Sequence, residues 1–183
     1  MKLTQNELET VIWRTTMMVL GLDPNSTEQS VQKQVRLSWP VGEGGHPDWK
    51  RDESTTFIRV APSADGLDTT KDISYTFGDN GGIEHFAYYT CYEVNWIIYG
   101  DTAQETADTL RIGAMRQHIR EYLAENNLAF ISVDRPVRSS EQDADGYWWN
   151  RFDLQARIYE LAHRDYSVGD YIGVTPNIIT GWR

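Results

Sequence analysis

Residues 86 to 98 alternate along their whole length, with Phe86, Tyr88, Thr90, Tyr92, Val94, Trp96 and Ile98 on one face and Ala87, Tyr89, Cys91 and Ile97 on the other. A period of two is the signature of a strand. Apolar residues on both sides imply that both faces are at least partly covered. The same stretch, 88-YYTCYEVNWIIYGDTAQETADTLR-111, then turns through Tyr99-Gly100-Asp101 into a helical pattern. A long strand delivered directly into a helix demands a fold in which a sheet and a helical layer share one core.

The helical pattern runs through Ala103, Ala107, Leu110, Ala114, Met115, Ile119, Tyr122 and Leu123, which predicts one long central helix. Asp101 is placed to cap it, with Gln104 at the capping-box position, and Asn126 and Asn127 are placed to end it. An N-terminal helix is announced by the capping box Thr4-Gln5-Asn6-Glu7. Its stripe is Leu8, Val11, Ile12, Met18, Val19 and Leu20, and Gly21 stops it.

Further strands are predicted where Val35, Leu37 and Trp39 alternate, where Thr56, Ile58 and Val60 oppose Phe57 and Arg59, and at Ile73, Tyr75 and Phe77. Asp79-Asn80-Gly81-Gly82 reads as a hairpin turn into the long strand. A short strand is expected around Phe130 to Asp134, and a long one from Tyr147 to about Leu161. The polar stretches 40–54 and 135–146 read as exposed loops, and the apolar tail 171–183 as a segment that docks on its own subunit or a neighbour. The expected class is α+β: a mostly antiparallel β-sheet packed against the long central helix and the N-terminal helix, in one domain over residues 1–183.

Charge limits the partners. The 27 acidic residues against 17 Lys plus Arg give a formal net charge of −10, which disfavours a protein that grips nucleic acid through basic stripes. An acidic surface can still surround DNA and let it slide. Cys91 is the one cysteine, so no intramolecular disulfide forms, and its place in an apolar strand predicts a buried thiol. No signal-peptide-like start or membrane-length apolar run occurs, and a cytoplasmic site of synthesis is the expectation.

The search for chemistry returns little. His46, His85, His118 and His163 have no second histidine or cysteine at metal-ligand spacing, and the patterns of P-loops, dinucleotide folds, serine hydrolases and zinc proteases are missing. Glu141, Asp143 and Asp145 lack the spacing of a calcium loop. Arg151 and Asp153 share a strand face and are placed to form a structural ion pair. Trp148 and Trp149 suit a sheet core and a subunit contact better than base stacking, because no basic groove accompanies them. No metal, cofactor or catalytic residue is expected.

The order of landmarks is informative. Trp39-Pro40, a glycine-rich turn into His46-Pro47-Asp48-Trp49, the strand into Tyr99-Gly100-Asp101, then Arg135-Pro136, Glu141 and 147-YWWNRFDL-154 resemble the tailed-bacteriophage neck or tail-terminator family over roughly residues 35 to 160. The resemblance implies a virion structural protein, assembled in the host cytoplasm and closing into a homo-oligomeric ring, commonly a hexamer. Such a ring ends the tail tube and meets the head-tail connector or adaptor, and DNA passes through its lumen without specific binding. No membrane is involved.

Trp39, His46, Pro47, Trp49, Arg135, Pro136, Glu141, Trp148 and Arg151 are the expected protein-contact residues, while Tyr99, Gly100 and Asp101 are expected to set the angle between sheet and helix. Two other readings stay open: a head-closure or tail-completion adaptor of related fold, and a small carboxylate-dependent hydrolase.

Overall fold

The computed structural model describes residues 2–37, 54–63, 71–78, 81–142 and 148–168. Among these, helix α1 (Gln5–Val19) and a short α2 (Gln29–Gln32) precede strands β1 (Val35–Leu37), β2 (Thr55–Pro62), β3 (Lys71–Gly78) and β4 (Gly81–Tyr99). Helices α3 (Ala103–Gly113) and α4 (Gln117–Glu125) follow, then β5 (Leu128–Val133), β6 (Val137–Gln142) and β7 (Trp148–Val168). All seven strands belong to one sheet, ordered β1-β2-β4-β7-β5, with β3 against the first half of β4 and β6 against the start of β7. Every pairing is antiparallel except β1 with β2.

The β4–β7 ribbon is the spine of the molecule. Its register pairs Gly82 with Val168 at one end and Tyr99 with Arg151 at the other. Paired residues point to the same side of an antiparallel sheet, so Val94 with Ala156, Trp96 with Leu154 and Tyr92 with Ile158 form a single buried face. Leu8, Ile12 and Met17 of α1, Ala107 and Leu110 of α3, and Ile119 and Leu123 of α4 close over it. Burial of such side chains stabilises the fold by about 1.5–3 kcal/mol each. Trp96 is fixed in addition by its Nε1, which donates to Thr16 Oγ1 at 3.0 Å.

The α1 capping box forms as expected: the Thr4 hydroxyl accepts from the Glu7 backbone N–H at 3.3 Å, and Glu7 accepts from the Thr4 N–H at 2.8 Å. The Thr4 backbone N–H and, after it, the Thr4 hydroxyl, which also donates to Glu7 Oε2 at 2.8 Å, hold the Glu7 carboxyl below its ordinary range. Gly21 stops the helix at φ +72°, a left-handed conformation that favours glycine. Cys91 is buried and unbridged.

Five expectations need correction. The single long central helix is two short ones, and its buried positions jump by five from Ala114 to Ile119, out of phase with a continuous 3.6-residue repeat. The chain tightens through 3₁₀-type bonds, Met115 N–H to Ile112 and Arg116 N–H to Gly113, and Arg116 is extended at ψ 147°. Met115, placed in the buried stripe by spacing, is exposed. Asp101 does not cap α3; Thr102 holds the N-cap position and makes no side-chain capping bond.

The polar stretch after Pro136 is not a loop throughout, since Val137–Gln142 pairs with Trp148–Asp153 as β6. An edge strand in which the successive residues Val137 and Arg138 are both exposed needs no apolar alternation. For the same reason β7 runs on to Val168, past the expected end near Leu161, through the polar run His163-Arg164-Asp165.

Candidate interaction surfaces and the strand-to-helix join

The join at the end of β4 is over-determined. Gly100 adopts φ +114°, and a Cβ there would stand 2.8 Å from Ser54 Cα. The position therefore requires glycine on conformational and steric grounds. Asn150 clamps the turn from β7: its backbone carbonyl accepts from Gly100 N–H at 3.2 Å, and its Nδ2 donates to the Gly100 carbonyl at 2.8 Å. Ala103 and Ala107 are fully buried, so α3 lies close on the sheet. Gly113 continues this close approach, for a Cβ there would collide with Val19 of α1.

Tyr99 packs edge-on against Phe57, with ring centroids 6.0 Å apart, and lies 5.7 Å under the Arg151 guanidinium. Arg151 grips Asp153 with both arms, Nε to Oδ1 at 2.7 Å and Nη2 to Oδ2 at 3.0 Å, so the ion pair read from the sequence forms. Burial works against its charge, but the hydrogen bonds to Asp153 and Tyr99 prevail and hold it above its ordinary value. Asp101 is exposed.

Arg151 and Asp153 belong to the sheet face that points away from the helices. There they line a cleft of about 290 Å³ with Arg59, Asn95, Ile97, Asp134, Arg135, Val137 and Gln155. The structure thus brings two expected contact residues, Arg135 and Arg151, into one site. Pro136 is half-buried beside it, between β5 and β6. Trp148 is exposed and five residues from Asp153 along β7, roughly 16 Å at strand spacing. Glu141 pairs in register with Trp149 near that far end. Trp39, His46, Pro47 and Trp49 lie outside the described residues. Arg59, Asn95 and Asp134 were not singled out in the sequence; the opposition of Arg59 to Ile58 and Val60 was the available signal.

Two other constellations escaped sequence reading. Glu160 is fully buried in β7, accepting from the Leu3 backbone N–H and from the Tyr92 hydroxyl at 2.9 Å. It anchors the segment entering α1 to the sheet. On the outer part of the sheet, Thr76 Oγ1 lies 2.7 Å from His85 Nε2, and His85 Nδ1 lies 2.8 Å from Asp165 Oδ1. A hydroxyl, imidazole and carboxylate in line can activate a nucleophile only beside a pocket and oxyanion donors. Thr76 is exposed on an open strand face, away from the cleft described above and from the groove between α4 and β5. The row ties β3, β4 and β7 together. Among the described residues no group of three or more His, Cys, Asp or Glu side chains is placed to hold a metal ion. Nor is any helix among them long and apolar enough to cross a membrane.

A family model described as "Phage neck terminator protein" matches residues 6–181, almost the whole chain. No curated protein matches it significantly.

Proposed function

The chain belongs to the phage neck terminator family, and from that premise we propose that it closes into a homo-oligomeric ring, with six subunits as the working number, at the top of the tail tube. Its place is the virion neck and its role is structural. In this reading the ring ends the tube, meets the head-tail connector or adaptor on its other side, and leaves a lumen through which DNA passes. The observation that carries it is the family match over residues 6–181. The arrangement of the described residues supports it: their helices pack on one side of the sheet, so that identical copies have two unlike surfaces to present. A net charge of −10 suits a wall along which DNA slides without being held.

Native mass measurement of the purified protein, alone and mixed with tail tube or connector protein, tests the reading. A closed oligomer of defined order that binds both is expected. A monomer that binds neither, and no density for the chain at the neck of reconstructed particles, would overturn it.

A further inference from the structure

The cleft on the sheet face that points away from the described helices is lined by more arginines than carboxylates. Three arginines, Arg59, Arg135 and Arg151, line it against Asp134 and Asp153, in a protein whose net charge is −10. Asp153 is committed to Arg151 through the two bonds of their ion pair. Arg59 and Arg135 are exposed, and neither has an ion-pair partner among the described residues. Two guanidiniums at the rim of one concavity can take carboxylates in bidentate geometry.

The matching surface is on the other side of the same molecule. Asp101, Glu105 and Asp108 follow one another at spacings of four and three, so they share one side of α3 and its entry turn, while Ala103, Ala107 and Leu110 face the core. Asp101 and Glu105 are exposed. The helices cover one face of the sheet and the cleft opens on the other, so the two surfaces cannot meet within one subunit.

Resting on the ring reading above, we propose that neighbouring subunits dock head to tail, the acidic outer side of α3 on one copy seating on the arginine-lined cleft of the next. Because the patches lie on opposite faces, a two-fold contact through either one would set it against itself, arginine on arginine or carboxylate on carboxylate. Pairing the unlike patches relieves both repulsions, and a heterologous contact of that kind generates a ring whenever its rotation closes. Nucleic acid fits the cleft less well, because two unpaired arginines beside Asp134 are not the basic stripe that tracks a phosphate backbone.

Charge reversal tests the proposal with the full-length chain. One variant carries Arg59→Glu and Arg135→Glu, the other Asp101→Lys and Glu105→Lys; all four sites are exposed, so matched circular dichroism and melting curves confirm folding. Native mass spectrometry then follows assembly, with tail tube protein present where the wild type needs it. Each variant alone is expected to need at least about tenfold more protein for half-assembly. An equimolar mixture is expected to recover wild-type assembly as alternating heteromers, because each reversed patch meets the reversed patch of the other variant. If either variant assembles like the wild type, or if both fail and the mixture fails too, the docking mode is wrong. If reversal of the arginines leaves assembly intact but weakens binding of duplex DNA, the cleft serves nucleic acid and the proposal falls. A wild-type chain that stays single alone, on tail tube protein and in the particle overturns the ring reading itself, an outcome distinct from a ring that ignores the reversals.

Discussion

The two ends of the β4–β7 ribbon share one covalent pattern and have opposite surroundings. At the inner end, from Thr90 to Ile98, every second residue of β4 is buried beneath helices. At the outer end, the same face continues through Phe86, Glu84 and Gly82, flanked in register by Ile73, Tyr75 and Phe77 of β3 and by Arg164, Tyr166 and Val168 of β7. There, residues 72–77 are all exposed. Length explains the difference. Strands of 19 and 21 residues extend roughly 60–70 Å, whereas helices of 9 to 15 residues reach only about 14–23 Å. The helical layer runs out before the sheet does, leaving a three-stranded arm.

The comparison is most severely challenged at Trp96. Its indole is almost wholly buried and bonded to Thr16, so Trp96→Ala should cost about 3–5 kcal/mol in urea unfolding. A loss under about 1 kcal/mol would mean that the inner end is not the seat of stability. Next is the join that delivers β4 into α3. Gly100→Ala combines a strained left-handed backbone with an overlap on Ser54 Cα, and about 2–4 kcal/mol of destabilisation is expected from the same measurement. A neutral result would remove the argument that this corner fixes the angle between sheet and helix.

Tyr92→Phe sharpens the boundary between the two ends. The change deletes the hydroxyl that donates to Glu160, leaving a fully buried carboxylate with one donor fewer, the Leu3 N–H remaining. A loss of about 1–3 kcal/mol is expected. Glu160→Gln in the same background should return part of it, since a neutral amide tolerates the missing donor better than a charge does. If the second change adds further destabilisation instead, Glu160 is held by something other than these two bonds.

The same contrast explains what the sequence could and could not reveal. Alternation from Phe86 to Ile98 identified the strand, and Thr4 with Glu7 identified the helix start, because each is a local pattern with a local physical cause. Wherever a core face repeats, the periodicity follows it. The arm has no such face in β7 beyond Ala162, where residues 163–167 are all exposed, and the sequence of Val137–Gln142 has no apolar repeat, so pairing there is decided by register with a distant partner. The break between α3 and α4 left no mark in the sequence spacing, because Met115 stands four residues before Ile119 and carries the helical phase across it, although its side chain is exposed. The arginine cleft needed the sheet register, which aligns Arg59 with Asn95 and, through it, with Gln155. Contact residues inferred from landmark order were only partly brought together, since Arg135 and Arg151 share the cleft whereas Trp148 lies along the strand from it.

The smallest expected effect is at the tip of the arm. Phe77 is 73% exposed, its ring stacks near Tyr75 at 6.3 Å, and it covers Gly82 across the β3–β4 pair, where a Cβ would meet the ring at 2.9 Å. Removing the ring by Phe77→Ser takes away contacts that exist only within the arm. Global stability should therefore change by less than about 0.5 kcal/mol. Local opening is a separate quantity, because a strand held by one neighbour and few buried contacts exchanges its amides without global unfolding. Amide exchange in β3 should accelerate several-fold while that of Val94, Trp96 and Ile158 stays at the wild-type rate. A global loss above about 1.5 kcal/mol, or faster exchange at the inner end, would show that arm and core unfold as one unit. In that case the exposed aromatic face contributes to the fold of the lone subunit, and the division of the ribbon into a stabilising end and a projecting end fails.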